Sequence, residues 1–258
     1  MSTQPKLTKR ELREQRRAER LAAEHADAAA AARRTRGWRL LAAAGLAVVV
    51  AGVAAIVSSS GGDADTPARS PSQAATLFAG IPEKDGVLGK PGAPVTVTEY
   101  VDLQCPICAA ASQQTLPPLV RDYVRSGKVK LEVRTLSFIG PDSERAARVA
   151  AGAEQQGKLW PFLEAFYAMQ GEENSGYVTD EFLRSVAAAS GVDAAKAMGA
   201  ADTAAAQERL NRANSDAQAL GIDATPTFTL ARGDGKPQVI AANDAQTLAA
   251  AIDKELAG

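Results

Sequence analysis

Both cysteines of this 258-residue chain fall inside LQCPIC, Leu103 to Cys108, with one proline and one isoleucine between them. No covalent link can therefore tie distant segments together, and a packed core must hold the fold. A composition of 46% hydrophobic residues is enough to build one. A bridge between Cys105 and Cys108 would itself be a poor staple. Closing so short a loop removes about 2 kcal/mol of unfolded-chain entropy, against about 3 kcal/mol for a fifteen-residue loop. The spacing suits chemistry better, because in Cys-x-x-Cys one thiol attacks and the other resolves as the pair passes between dithiol and disulfide.

Which compartment holds the thiols follows from the charge pattern. Up to Arg39 there are 11 Lys and Arg against 5 Asp and Glu, and the rest of the chain has 18 against 25. The formal charge of -1 thus averages a basic tail and an acidic body, and suggests no nucleic-acid partner. Between them runs LLAAAGLAVVVAGVAAIV, Leu40 to Val57, without a charged side chain. As a helix it would be about 27 Å long, close to the roughly 30 Å of a bilayer's hydrocarbon core. Arg33, Arg34, Arg36 and Arg39 precede it and no basic residue follows until Arg69, which places the N-terminus in the cytoplasm and the body outside. A cleaved signal peptide is the competing reading. The long basic region and an apolar run beyond the usual h-region of about 7 to 15 residues favour an uncleaved anchor. A buried core helix would not explain arginines at one end only. Disulfides persist outside the cytoplasm, so an exported body with one adjacent pair reads as a handler of disulfides.

Four segments result: a charged tail over 1–39, a transmembrane anchor over 40–57, a flexible linker over 58–80 and a folded domain over 81–258. The tail reads as a solvated helix with Thr8 and Glu11 spaced as a capping box. SSSGGDADTPARSPSQAA has linker composition. In the domain, VTVTEYVDLQ alternates so that Val95, Val97, Glu99, Val101 and Leu103 share one face, as in a central strand. Pro106 suits a first helical position. The helix that follows is expected to kink at Pro117 and Pro118 and end at Gly127. KVKLEVRTLSFI reads as a second strand, parallel to the first if the helix is a crossover. Residues 142–220 show helical spacing with breaks for four or five helices, then come two short strands around RGDGK and a closing helix. The fold class is α/β with a helical insertion.

The strand ending in EYVDLQCPIC, the insertion with LWPFLEAFYAMQ, and ATPTFTL about 120 residues after the cysteines resemble the DsbA-like thiol-disulfide oxidoreductases of the thioredoxin superfamily. The resemblance covers roughly Leu88 to the C-terminus and implies a thioredoxin-like fold, behind the transmembrane helix, with no cofactor and no metal. It implies a membrane-anchored enzyme, most readily an oxidase, acting on exported cysteine-containing proteins and reoxidised by a quinone-linked membrane partner. A reductase or isomerase remains an alternative, and a thiol-based copper carrier a further one.

Within that resemblance Cys105 is the nucleophile, its thiolate favoured by the free N–H groups and dipole of a helix N-terminus. Cys108, one turn on, resolves the mixed disulfide. Glu99 takes the place of a buried acid beneath the site, where an apolar face raises a carboxyl's pKa and lets it exchange a proton with Cys108. Thr225 and Pro226 match a cis-proline loop lying against Cys-Pro-x-Cys and, with Pro106 and Ile107, would bind extended substrate. Asp102 falls on the opposite strand face and reads as a strand-end polar residue. Trp160, Phe162, Phe166 and Tyr167 have spacing that fits core packing better than a peptide-binding stripe. Ile107 departs from the C-P-H-C of strongly oxidising members, where histidine helps hold the thiolate, and leaves the redox poise open. The only histidine, His25, lies in the tail, far from any metal role at the thiols.

Overall fold

The computed structural model describes residues 76–242 and 244–257. The expected tail, the apolar run Leu40–Val57 and most of the expected linker lie outside the described residues. Among the described residues no helix is long and apolar enough to cross a membrane.

Strand β3, Val95–Asp102, is the axis of the domain. It pairs in parallel with β4, Val129–Leu136, with Val95 opposite Val129, and antiparallel with β5, Thr227–Arg232, with Glu99 opposite Phe228. A short hairpin of β1, Glu83–Lys84, and β2, Val87–Leu88, adds to the β4 side, and β6, Gln238–Ile240, adds to β5. The sheet order is β1-β2-β4-β3-β5-β6. Being central, β3 is covered on both faces, which is why apolar and β-branched residues run through it. Val95, Val97, Val101 and Leu103 are all buried on the face expected from their alternation.

The crossover between β3 and β4 is α1, Pro106–Gln114, then α2, Leu116–Leu119, then a π-helical turn over Val120–Val124. The break falls at Thr115, just before Pro117 and Pro118, whose missing N–H groups cannot continue the ladder of α1. Gly127, at φ +78°, ends the segment in a conformation that glycine adopts without strain.

Five helices form the insertion: α3 Pro141–Glu154, α4 Leu159–Ala168, α5 Asp180–Ser190, α6 Ala194–Ala201 and α7 Ala204–Ala219. Thr179, Asp193 and Thr203 start the last three by accepting backbone N–H bonds three residues on. Gly152 lets α3 approach α6, since a Cβ there would run into the backbone of Ala197. Trp160, Phe162, Phe166 and Tyr167 are buried, so the aromatic run of α4 is core. The core also reaches back to Phe78, inside the segment expected to be linker, whose ring lies 6.1 Å from that of Trp160. An isolated Leu-Phe after a polar stretch carried no periodicity to reveal this. The closing helix α8 spans Ala245–Ala257 and buries Leu248 and Ile252.

Candidate active site

Where β3 ends, the chain turns into α1 and presents Cys105 as the N-cap of that helix, with Pro106 at its first position. An N-cap side chain faces the first free N–H groups of its helix. Here the Cys108 N–H donates to Cys105 Sγ at 3.4 Å. From the other side the peptide Thr225-Pro226 is cis, and Cys105 Sγ donates to the Thr225 carbonyl at 3.4 Å. Both cysteines are free thiols. The hydrogen bond from the Cys108 thiol, helped by the Thr225 side chain and the amides of Cys108 and Ile107, outweighs burial and lowers Cys105 from 9.0 to about 6. Cys105 is a thiolate at neutral pH.

One turn deeper, Cys108 meets the opposite conditions. Its side chain is fully buried, and burial together with the neighbouring Cys105 sulfur pushes its thiol far above the ordinary range. Glu99, on β3, is 8% exposed; burial and the nearby Glu164 raise its carboxyl to about 8, so it is protonated at neutral pH. Once ionised it would raise the Cys108 thiol further, whereas a hydrogen bond with the backbone of Asp102 lowers it. Tyr167 closes the floor, its hydroxyl donating to the Asp102 carbonyl at 3.4 Å.

Beside Cys105 a groove of about 720 Å³ is lined by Ile107, Ala111, Thr225, Pro226, Phe228 and Ala242. Ile107 is 65% exposed, and Phe138 nearby in sequence to the β4 end is 48% exposed, two large apolar side chains that water does not favour. Every residue expected at the site is in one constellation: Cys105, Pro106, Ile107, Thr225 and Pro226 at the mouth, Cys108 and Glu99 beneath. The Thr225 carbonyl, expected to be free for substrate, is engaged by the Cys105 thiol; loss of that proton removes the donor and releases it.

Several groups were not legible. Asp102 is indeed a strand-end residue, but it is fully buried and accepts the N–H of Gln104 at 2.9 Å and of Ile139 at 3.0 Å. Gln104 in turn donates to Ser143 and accepts from the Asn174 N–H. Gln170, just past α4, donates to the carbonyls of Leu103 at 2.7 Å and Cys105 at 3.2 Å. The turn carrying Cys105 is thereby tied to the insertion at several points. Ser112 and Glu164 form a further buried hydrogen bond. Of these, Glu164 alone left a trace in the sequence, as a charge within an otherwise apolar helix.

A family model described as Thioredoxin matches residues 82–254. A probable disulfide bond formation protein D of Bacillus anthracis is 30% identical over 173 residues, 66% of this chain and 77% of the relative. The oxidised BdbD of Bacillus subtilis superposes with a TM-score of 0.60 at 27% identity, covering 69% of this chain and 97% of that one. The DsbA of Chlamydia trachomatis shares the fold, with a TM-score of 0.57 at 19% identity over 66% of this chain and 90% of that one.

Proposed function

Because the chain belongs to the thioredoxin family, and within it to the DsbA-like thiol-disulfide oxidoreductases, we propose that it forms disulfides in exported proteins through Cys105 and Cys108. The observation that carries this reading is the opposition between the two sulfurs, one lowered to about 6 and the other pushed far up.

In the oxidised enzyme a substrate thiolate attacks Cys105 Sγ. The bond to Cys108 breaks, its sulfur takes the electron pair, and Glu99 supplies the proton. A second substrate thiolate then attacks the substrate sulfur of the mixed disulfide. Cys105 departs as a thiolate, and the substrate leaves oxidised. A stable Cys105 thiolate favours the reduced enzyme, which is what gives an oxidant its driving force. The related proteins named for disulfide bond formation support the same direction. A copper carrier would have two thiols to offer, since among the described residues no three His, Cys, Asp or Glu side chains stand together.

Residues Leu40–Val57 anchor the enzyme, with the tail in the cytoplasm and the catalytic domain outside, and a quinone-linked membrane protein reoxidises it. Support comes from the one-sided arginines and the charge-free run. Pro106, Ile107, Thr225 and Pro226 receive the substrate as an extended segment along the groove.

The test is a Cys108→Ala variant expressed at full length in cells. It is expected to retain exported proteins as mixed disulfides on non-reducing gels, and the wild-type protein equilibrated with glutathione to show a potential well above that of thioredoxin. A potential near or below about -270 mV would contradict the oxidase.

A further inference from the structure

Pro106 has no N–H, so the peptide that joins Cys105 to α1 can be held by hydrogen bonds only through its carbonyl. The plane of that carbonyl fixes ψ of Cys105, 118°, and with it the direction in which the N-cap side chain leaves the helix. From within α1 the Ala109 N–H reaches this carbonyl at 3.2 Å. A second donor comes from outside the helix, the Gln170 Nε2 at 3.2 Å. The same nitrogen donates to the Leu103 carbonyl at 2.7 Å, which uses both hydrogens of the amide. Leu103 lies just past the last ladder pair of β3, Asp102 with Leu136. One side chain thus grips the turn on both sides of Cys105.

Gln170 is itself held firmly. Its N–H donates to the Tyr167 carbonyl at 3.4 Å, one turn back at the end of α4. Phe166 on that turn packs edge-on against Phe182 of α5, with ring centroids 5.1 Å apart. Residues three apart share a helix face. From that face Tyr167 reaches the carbonyl of Asp102, while Gln170 reaches those of Leu103 and Cys105. The contacts that Cys105 Sγ makes for itself are long, 3.4 Å from the Cys108 N–H and 3.4 Å to the Thr225 carbonyl. Contacts of that length survive only where the turn is held to a fraction of an ångström.

We propose that Gln170 is a positioning residue for the nucleophile: by holding the carbonyls of Leu103 and Cys105, it keeps Cys105 Sγ against the Cys108 N–H and the Thr225-Pro226 loop and so sets how readily that sulfur carries charge. The Cys105 thiolate belongs to the reduced enzyme. Holding it in place therefore favours giving the disulfide away, and the helical insertion acts on the chemistry as well as on the core. The assignment rests on Cys105 being the reactive sulfur of the proposed mechanism.

Full-length reduced protein, alkylated with iodoacetamide across the acid and alkaline range and separately equilibrated with glutathione, tests it. Wild-type Cys105 is expected to label with a midpoint of about 6. In Gln170→Met, a side chain of similar length without a donor, the midpoint rises by about one unit, roughly a tenfold loss of labelling rate on the acid side. The reduction potential falls by about 30 mV, the same tenfold change in the equilibrium. Leu183→Ala, a core truncation in α5, lowers the melting temperature and leaves both values where they were. Gln170→Ala carries the same expectation as Gln170→Met should the methionine variant not fold. A lower melting temperature in the Gln170 variants with midpoint and potential unmoved overturns the role of Gln170 and spares that of Cys105. An equal shift in Leu183→Ala also overturns it, because any loosening of the insertion would then suffice. A wild-type midpoint near the ordinary 9.0 overturns both assignments.

Discussion

Cys105 and Cys108 are one helical turn apart, yet the mouth and the floor of the site treat a negative charge in opposite ways. At the mouth, free N–H groups of α1 and the Thr225 side chain meet the sulfur, and charge is stabilised. On the floor, burial and the carboxyl of Glu99 oppose a charge on the second sulfur. A disulfide between such unequal partners breaks with a preferred polarity: Cys108 must be protonated as it leaves, whereas Cys105 departs as an anion. The difference lies in where each sulfur sits along α1, since both are the same chemical group on the same helix.

The largest expected effect sharpens that contrast directly. Alkylation of the reduced protein should label Cys105 with a pH midpoint of about 6 and leave Cys108 essentially untouched until unfolding. Comparable labelling of the two thiols at neutral pH would abolish the distinction. The same depression has a stability consequence. Cys105 falls from 9.0 to about 6 on folding, so the stabilisation of the reduced protein is fully present above about pH 9 and lost as pH falls through about 6.

A middle-sized effect tests the floor. Glu99 rises from 4.5 to about 8 on folding, so its contribution favours the folded state below pH 4.5 and is lost as pH rises through about 8. Glu99→Gln keeps the shape without the ionisation. It should raise the melting temperature at pH 8 by several degrees, at about 2–4 °C per kcal/mol for a domain of this size, and by little at pH 5. An equal change at both pH values would mean that burial of charge is not what the floor opposes.

Smallest is the effect expected at the rim. Ile107→His places a donor and partial charge next to Cys105 on an exposed position. The Cys105 midpoint should drop by less than about one unit, and the reduction potential should rise by up to about 30 mV. A larger rise would show that the dipeptide, rather than the helix terminus and the Thr225-Pro226 loop, sets the acidity of the mouth.

Much of this site could be read from local pattern. Strand alternation put Glu99 on the buried face, proline after Cys105 marked the helix start, and Thr225-Pro226 ahead of a strand marked the opposing loop. A break in the crossover helix near Pro117 and Pro118, which falls at Thr115, and the parallel pairing of β4 followed from the same rules. Glu164, Ser112, Gln104 and Gln170 did not, because each acts through a partner distant in the chain: Ser112 and Glu164 meet across 52 residues, and Gln170 and Cys105 across 65. Phe78 is a similar case, a core residue whose partner is Trp160.

By itself, then, the amino-acid order determined the elements, the pair of thiols and the helix terminus that activates one of them, since these depend on near neighbours and on periods of two and 3.6 residues. Tertiary structure alone decided how deep each sulfur lies and which carboxyls share its surroundings. Desolvation and like-charge repulsion depend on what packs around a group in space, and the insertion brings Glu164 to Glu99 only once α4 has packed against α1 and the sheet.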